Sequence, residues 1–267
     1  MNVAADEDLV QRLNFARSLA GEVGRQIEQF RAEAAPTFER KGLQDFVTAA
    51  DRRGEETIRH ALKTAFPEDG FLGEETGGQP ETDGFWVVDP IDGTTNFIRG
   101  LRHWAVSIAF VRSGVLELGV IYDATTQSVY AAARGGGAWR GEHRIAVATR
   151  SDPAEALAIL GCSRRTSFED YQALQRRLND IGVDYRRLGA AALGLVRVAC
   201  GVADLFYEAH VNSWDILAGA LIASEAGAIV EMPPLPVMLE RGGPLAAYAP
   251  SLANPLGFLK ELVHALA

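Results

Sequence analysis

The stretch VVDPIDGTTN, residues 87–96, decides the fold, because two acids and a turn follow directly on a buried strand. Residues 85–88 (FWVV) form the unbroken apolar, partly β-branched run that is typical of a strand buried on both faces. We expect this strand to stop at Asp89, since Pro90 removes a backbone donor and holds Asp89 in an extended conformation. The turn would then point the Ile91 carbonyl outward as an oxygen ligand.

The residues after this turn favour an anion. Asp92 lies close behind Asp89, Gly93 permits close backbone approach, and residues 94–96 (TTN) are N-cap types ahead of a predicted short helix. Free N–H groups at a helix start attract negative charge. An Asp-Gly turn or an Asp-Pro loop start is common by itself, so it is the combination that indicates a site for hard cations and phosphate.

Five motifs in order give the chain a resemblance to the inositol monophosphatase family of magnesium-dependent, lithium-sensitive phosphatases. The motifs are KGLQDFVTAAD (41–51), GEET (73–76), DPIDGTTNF (89–97), GAA (189–191) with DLFYE (204–208), and WDILAG (214–219). The resemblance implies a layered α/β/α/β/α fold of the α/β (α+β) class. It also implies an antiparallel sheet in the N-terminal half and a mixed or parallel sheet in the C-terminal half.

Periodicity in the first half predicts helices and then a meander. Apolar residues recur at spacings of three and four between positions 9 and 30, and a second amphipathic helix is predicted after Asp51, ending at residues 67–70. Residues 105–111, 117–122 and 128–133 then alternate with the period of antiparallel strands. Gly135, Gly136 and Gly137 are expected to close that block.

The second half alternates short apolar runs with helical segments, which is typical of an α/β layer. Runs at 157–160 and 229–230 predict strands, and segments 168–181, 190–201 and 216–226 predict helices. The proline- and glycine-rich stretch 233–244 reads as loop, followed by a closing helix over 255–266. A weak boundary near 149–153 divides the chain into two predicted subdomains, residues 1–150 and 151–267.

Composition agrees with an ordinary enzyme. The chain has 267 residues, is 48% hydrophobic and carries a formal charge of -9, which argues against non-specific nucleic-acid binding. Cys162 and Cys200 form no Cys-x-x-Cys pair, and the first residues lack a signal-peptide pattern, so we expect a cytoplasmic protein. The histidines show no zinc spacing, and no apolar stretch is long enough for a membrane span.

The resemblance assigns the metal ligands, and the chemistry of magnesium explains them. Glu74, Asp89 and the Ile91 carbonyl would hold one Mg²⁺, Asp89, Asp92 and Asp215 a second, and a third, weaker ion would lie near Glu74. Mg²⁺ prefers oxygen ligands and keeps several waters, so a few carboxylates and a substrate phosphate suffice. Without metal, such an acidic cluster would repel itself and raise its carboxyl pKa values.

The resemblance also implies direct attack of water on a phosphate monoester, without a phosphoenzyme. Glu74 and the Thr94–Asp51 pair would orient and deprotonate the water, while the Gly93 and Thr94 amides bind phosphate oxygens. The residues matching the family's substrate positions are Asp92, Gly93, Thr94, Gly189, Ala190, Ala191 and Glu208. A homodimer is expected from the resemblance alone.

Simpler interpretations stay open for several of these residues. Asp51 and Asp215 each lie at a predicted helix start, where an acid stabilises the helix. Lys41 is either a surface charge or a residue near the site, and Glu75 is more simply a solvated neighbour of Glu74.

Three functions fit this sequence. The first is an inositol-1-monophosphatase or a phosphatase for a similar polyol phosphate, in which Glu208 accepts hydrogen bonds from ring hydroxyls. The second is a histidinol-phosphate phosphatase, in which Glu208 pairs with an ammonium group. The third is a regulatory binding protein that acts through RNA-polymerase-associated factors, as some bacterial relatives do.

Overall fold

The helices and strands follow the order that the periodicity predicts, with further elements in both halves of the chain. The computed structural model describes residues 6–33, 38–42, 45–78 and 82–266. The helices are α1 (Glu7–Glu33), α2 (Ala49–Ala65), α3 (Thr94–Ile98), α4 (Phe168–Asp180), α5 (Ala191–Ala199), α6 (Ser213–Glu225), α7 (Leu235–Arg241), α8 (Ala253–Leu256) and α9 (Phe258–Leu266). The strands are β1 (Phe38–Gly42), β2 (Asp45–Thr48), β3 (Gly70–Gly73), β4 (Gly84–Asp92), β5 (Ala105–Arg112), β6 (Val115–Asp123), β7 (Ser128–Ala133), β8 (Ala138–Arg140), β9 (His143–Ile145), β10 (Leu157–Leu160), β11 (Asp184–Arg186), β12 (Leu205–Val211), β13 (Ile229–Glu231) and β14 (Gly243–Tyr248).

Two large sheets carry the fold. The N-terminal sheet has the order β3-β4-β5-β6-β7-β8-β9 and is antiparallel except for the β3–β4 pair. The C-terminal sheet has the order β11-β10-β12-β14-β13, in which β10 runs parallel to β11 and β12, and β14 runs antiparallel to its neighbours. Strands β1 and β2 form a separate antiparallel pair.

Helices cover and separate these sheets. Helices α1 and α2 pack on one face of the N-terminal sheet, where Leu13 and Ile58 join the core around Trp86. Helices α5 and α6 lie between the sheets, and α4 and α9 pack on the outer face of the C-terminal sheet. The layered α/β/α/β/α architecture is therefore confirmed.

Helix α6 is buried on nearly all sides, as a helix between two sheets requires. Gly119 on β6 allows its close approach, because a Cβ atom at Gly119 would lie 2.4 Å from the Ala218 carbonyl oxygen. The helix that carries Asp215 is thus held firmly against the N-terminal sheet. No helix in the described ranges combines the length and apolar character needed to cross a membrane.

Two predictions about the first half are wrong in detail. Strand β4 does not stop at Asp89 but runs to Asp92, because a bulge opposite residues 105–107 absorbs the extra residue. The glycines at 135–137 do not close the sheet either, since β8 and β9 extend it. Both acids of the central motif are consequently held within a strand and not in a free loop.

The prediction for the stretch 233–244 is also wrong. Residues 235–241 form α7, and residues 243–248 form β14, which lies inside the C-terminal sheet between β12 and β13. The predicted closing helix is divided into α8 and α9. The boundary near residues 149–153 falls between β9 and β10, which belong to different sheets, and stays a prediction of two subdomains.

Candidate metal centre

Three acids that are far apart in sequence converge at one point. Glu74, Asp89 and Asp215 each offer a carboxylate oxygen, and these oxygens lie within 4.8 Å of one another. Glu74 follows β3, Asp89 lies in the bulged end of β4, and Asp215 lies in the first turn of α6. The cluster therefore joins both halves of the chain.

Backbone and hydroxyl contacts fix Asp89 and the start of α6. The Ile91 amide donates to Asp89 Oδ1 at 2.8 Å, which sets the orientation of this fully buried carboxylate. Ser107 pairs with Asp89 across the sheet, and its hydroxyl donates to the Trp214 carbonyl at 2.9 Å. Ser107 thereby holds the residue before Asp215 against strand β5.

Asp51 and Asp215 occupy equivalent positions in two helices. Each is the third residue of its helix, and its Oδ2 accepts from the backbone amide of the N-cap residue, Thr48 at 2.8 Å and Asn212 at 2.9 Å. Both acids therefore stabilise a helix start, as the simpler interpretation expected, each as the acid of a capping box. Oδ1 of Asp51 accepts from the Thr94 hydroxyl at 3.2 Å.

A buried acid organises the turn that carries Glu74. Glu55 accepts from the Glu75 amide at 2.8 Å and from the Thr76 amide at 2.9 Å. Gly73 leaves room for this carboxylate, since a Cβ atom there would lie 2.4 Å from it. Glu74 is tied to β4 as well, because its amide donates to the Val88 carbonyl at 3.1 Å.

Electrostatics show strong repulsion within the cluster. Burial raises the pKa of Asp89 well above its usual value, and Glu74, Asp92 and Asp215 raise it further. Burial likewise raises the pKa of Asp92 and of Asp215 to about 7. A divalent cation would relieve this repulsion, and the donors are all oxygens, so the residues fit a hard metal ion such as Mg²⁺.

The turn after β4 requires glycine and places Thr94 beside the acids. Gly93 has a φ of 96°, and a Cβ atom there would lie 3.1 Å from the carbonyl oxygens of both Gly189 and His103. Thr94 is the first residue of α3, and its hydroxyl lies 3.1 Å from the Ile91 carbonyl as well as near Asp51. Burial raises the pKa of Asp51 to about 6, partly offset by its bonds to Thr48 and Thr94.

Asp92 joins the acidic cluster to the predicted substrate residues. Its two carboxylate oxygens accept from the amides of Ala191 at 3.1 Å and Ala192 at 2.8 Å, at the start of α5. Asn96 Nδ2 donates to the carbonyls of Leu188 and His103, both at 2.8 Å. Residues 189–191 are thus fixed next to Gly93.

Glu208, which lies in strand β12, is the last of the predicted substrate residues. A Cβ atom at Gly161 would lie 1.9 Å from Glu208 Oε2, so the glycine provides the space for this carboxylate. Burial raises the pKa of Glu208 to about 8, with further contributions from Asp215 and Asp92, which places Glu208 close to the acidic cluster. The side chain of Lys41 lies outside the described part of the structure.

Comparison with known proteins identifies the family of this chain. The sequence profile described as the Inositol monophosphatase family matches residues 8–257. The chain belongs to the inositol monophosphatase family. It is 40% identical over 191 residues to the inositol-1-monophosphatase of Rhizobium meliloti (strain 1021), covering 70% of this chain and 72% of that protein. It is also 40% identical over 226 residues to the Nus factor SuhB of Pseudomonas aeruginosa, covering 82% of each protein.

A solved structure of the same family has the same fold. The extragenic suppressor protein suhB from Bartonella henselae superposes with a TM-score of 0.85 at 30% identity, covering 95% of this chain and 98% of that one. Members of the inositol monophosphatase family thus carry two names, phosphatase and Nus factor.

Several residues of this site were missed by sequence reasoning. Glu55 and Ser107 act through contacts with distant elements, and their positions read only as one face of a helix or strand. Asn96 was assigned as an N-cap type, whereas its amide joins the two halves of this inositol monophosphatase family member. The one sequence signal for this role was the position of Asn96 at the end of the DPIDGTTN motif.

Proposed function

We propose that this chain is a Mg²⁺-dependent phosphate monoester hydrolase, with inositol 1-phosphate or a similar polyol phosphate as its substrate. The observation that carries this proposal is the convergence of Glu74, Asp89 and Asp215 within 4.8 Å, next to the Thr94–Asp51 hydrogen bond. Buried carboxylates that repel one another are stabilised by bound cations, and phosphate is a natural bridging ligand for such cations.

The metal ligands would be those that the resemblance implies. Glu74, Asp89 and the Ile91 carbonyl would hold one ion, Asp89, Asp92 and Asp215 a second, and a third would lie near Glu74. Bound Mg²⁺ would neutralise phosphate charge and increase the acidity of water in the site.

The chain's own residues would position and activate the attacking water. The Thr94 hydroxyl, which donates to Asp51, would orient the water together with Glu74. As the water attacks, Thr94 would pass its own proton to Asp51 and take one proton from the water, so that Asp51 is the final acceptor. A pKa of about 6 leaves Asp51 mostly ionised at neutral pH and therefore able to act as a base. The Gly93 and Thr94 amides would bind phosphate oxygens.

The leaving group would lie against the second half of the molecule. Glu208 would accept hydrogen bonds from its hydroxyl groups, beside Gly189, Ala190 and Ala191. We also propose a homodimer and a cytoplasmic location. The homodimer follows from the family and not from a contact in the structure, and the location follows from the two free cysteines.

Two alternatives have a specific basis. Glu208 could equally pair with the ammonium group of histidinol phosphate, because a partly buried carboxylate suits a cation. Some relatives are named Nus factor SuhB, which motivates a binding role in transcription complexes that would not require turnover.

Phosphate release with and without Mg²⁺ tests all three functions. The substrates are inositol 1-phosphate, histidinol phosphate, glycerol 2-phosphate and adenosine 3′,5′-bisphosphate. We expect Mg²⁺-dependent turnover that is at least about tenfold faster on inositol 1-phosphate, equivalent to about 1.4 kcal/mol. Asp83→Asn, an exposed acid before β4, serves as the control for Asp89→Asn.

Each other outcome favours one alternative. If phosphate is released fastest from histidinol phosphate, the substrate assignment changes and the site assignment stands. Absence of turnover on every substrate contradicts the proposed hydrolase, and retention of a transcription complex by the Asp89→Asn variant would then support the binding role.

A further inference from the structure

The carboxyl ends of three neighbouring parallel strands meet beside the acidic cluster. Arg187 directly follows β11, Arg165 lies in the segment after β10, and Glu208 lies in β12. Strand β10 is paired with both of the others, so these three residues approach from adjacent strands. Ligands in α/β proteins bind at this edge of a sheet.

Arg165 is fixed on the rim of the site by two side chains. Its NH1 group donates to Asn212 Oδ1 at 2.8 Å and lies 2.9 Å from His210 Nε2. Burial and the charge of Arg165 lower the pKa of His210, so the neutral ring accepts from the guanidinium. Asn212 Nδ2 lies 3.4 Å from Asp215 Oδ2, which leaves one side-chain amide between Arg165 and a metal-binding acid.

Neither Arg165 nor Arg187 forms an ion pair with any carboxylate in the described ranges. Both are exposed. Arg186, the residue before Arg187, differs because its guanidinium is held by Asp184 at 2.7 Å. Arg187 also directly precedes Leu188, whose carbonyl accepts from Asn96 Nδ2 at 2.8 Å, so Arg187 lies at the start of the segment 189–191.

Two guanidinium groups without a carboxylate partner, on one side of a site, favour substrates that carry a negative charge there. They repel an ammonium group and add little to a neutral polyol, whereas a carboxylate or phosphate binds their planar N–H groups closely. The phosphate that is hydrolysed would be bound at the acidic cluster. An anion recognised by these arginines must therefore belong to the leaving group.

We propose that Arg165 and Arg187 bind an anionic group carried by the leaving group, so that the preferred substrates are phosphate monoesters of polyols that bear a second carboxylate or phosphate. This inference rests on the proposed hydrolase function. It adds the substrate class, and it disfavours aminoalkyl phosphates such as histidinol phosphate.

Matched substrate pairs test the proposal. Sorbitol 6-phosphate and 6-phosphogluconate differ by one carboxylate, and inositol 1-phosphate and inositol 1,4-bisphosphate differ by one phosphate. We would measure kcat/KM with Mg²⁺ at fixed ionic strength for the wild type, Arg165→Gln, Arg187→Gln and the double variant. Arg186→Gln is the control, because it removes the same charge from the neighbouring residue. Titration calorimetry of the same compounds measures binding independently of turnover.

We expect the wild type to prefer the doubly anionic member of at least one pair by about tenfold or more, as a charge-assisted hydrogen bond allows. The pair that shows the preference identifies the anion as carboxylate or phosphate. The double variant should lose this preference while its kcat/KM on the singly anionic member changes less than about threefold. Arg186→Gln should keep it.

Equal kcat/KM within both pairs, or a preference that survives in the double variant, overturns the inference while the hydrolase function stands. If no compound is hydrolysed, the proposed function fails and calorimetry decides this inference separately. A wild-type binding preference lost in the double variant would then support it, and equal binding would overturn it.

Discussion

The two sides of the site are built differently. On the proposed metal side, Asp89 and Asp92 are buried, and Asp89 accepts a hydrogen bond from one backbone amide and Asp92 from two. On the proposed substrate side, Arg165 and Arg187 are exposed and lie in segments that follow strands. Chemistry at phosphate needs charges held rigidly away from water, whereas selection among substrates can reside in loops on a fixed scaffold.

The largest expected effect is the loss of turnover in Asp89→Asn. The substitution keeps the shape of the side chain but removes the charge shared by both proposed metal sites. Activity should fall by more than about 10³-fold, which corresponds to more than about 4 kcal/mol in the activation free energy. Steady-state phosphate release measures this, with Asp83→Asn as control. A variant that keeps more than about a tenth of the activity would show that Asp89 is not a metal ligand.

The second prediction concerns the stability of the protein without metal. Burial and mutual repulsion raise the pKa values of Asp92 and Asp215 to about 7, above those of an unfolded chain. An acid with a raised pKa stabilises the fold below about pH 4 and loses that contribution as the pH rises through about 7. When a chelator keeps the protein free of metal, the free energy of unfolding should fall by a few kcal/mol between pH 5 and pH 8.

Denaturant unfolding at several pH values, with EDTA and with Mg²⁺, measures whether the free energy of unfolding falls as the pH rises. Added Mg²⁺ should largely remove the loss at pH 8, and Asp89→Asn should weaken the pH dependence in EDTA. Stability in EDTA that rises from pH 5 to pH 8 would contradict the raised pKa values.

A smaller effect is expected when the hydroxyl beside Asp51 is removed. Thr94→Val keeps the shape of the side chain but loses its hydrogen bond to Asp51. We expect kcat to fall by about 10²-fold, in the range of general-base catalysis, with little change in KM. Thr94→Ser, which restores a hydroxyl, should recover most of the activity. Equal kcat in Thr94→Val and the wild type would exclude Thr94 from water activation.

The smallest effect is expected on the substrate side. In Gly161→Ala the new methyl group would collide with Glu208, which must move. We expect KM for inositol 1-phosphate to rise about fivefold, about 1 kcal/mol, with kcat within about twofold of the wild type. Gly21→Ala, a helical glycine in α1, is the control. A fall in kcat with constant KM would place Glu208 on the side of the chemistry.

Much of the proposed metal side could be predicted from sequence because several of its residues lie close together in the chain. The DPIDGTTN stretch carries two acids, the required glycine and Thr94 within a few residues. The layered fold and the first-half meander were also predicted correctly. The extension of β4 to Asp92 was missed, since a bulge depends on the partner strand and not on the residues themselves.

The substrate side was less accessible because its contacts join distant residues. Arg165 is held by His210 and Asn212, and no local pattern connects these positions. Strand β14 was read as loop because Gly243 and Pro244 precede its short apolar run. In the structure Pro244 lies where the pairing with β12 is interrupted by a bulge, so its missing amide costs little.

The central position of β14 bears on how the protein is made. Strand β12 carries Glu208 and leads into α6 with Asp215, yet its neighbour β14 is synthesised later. At about 5–20 residues per second, Tyr248 joins the chain about 2–7 s after Val211. During that interval on the ribosome β12 has a bare edge that can pair with other strands. The nascent chain is therefore prone to association after its proposed metal-binding acids have been synthesised and before the strand that covers β12 has emerged.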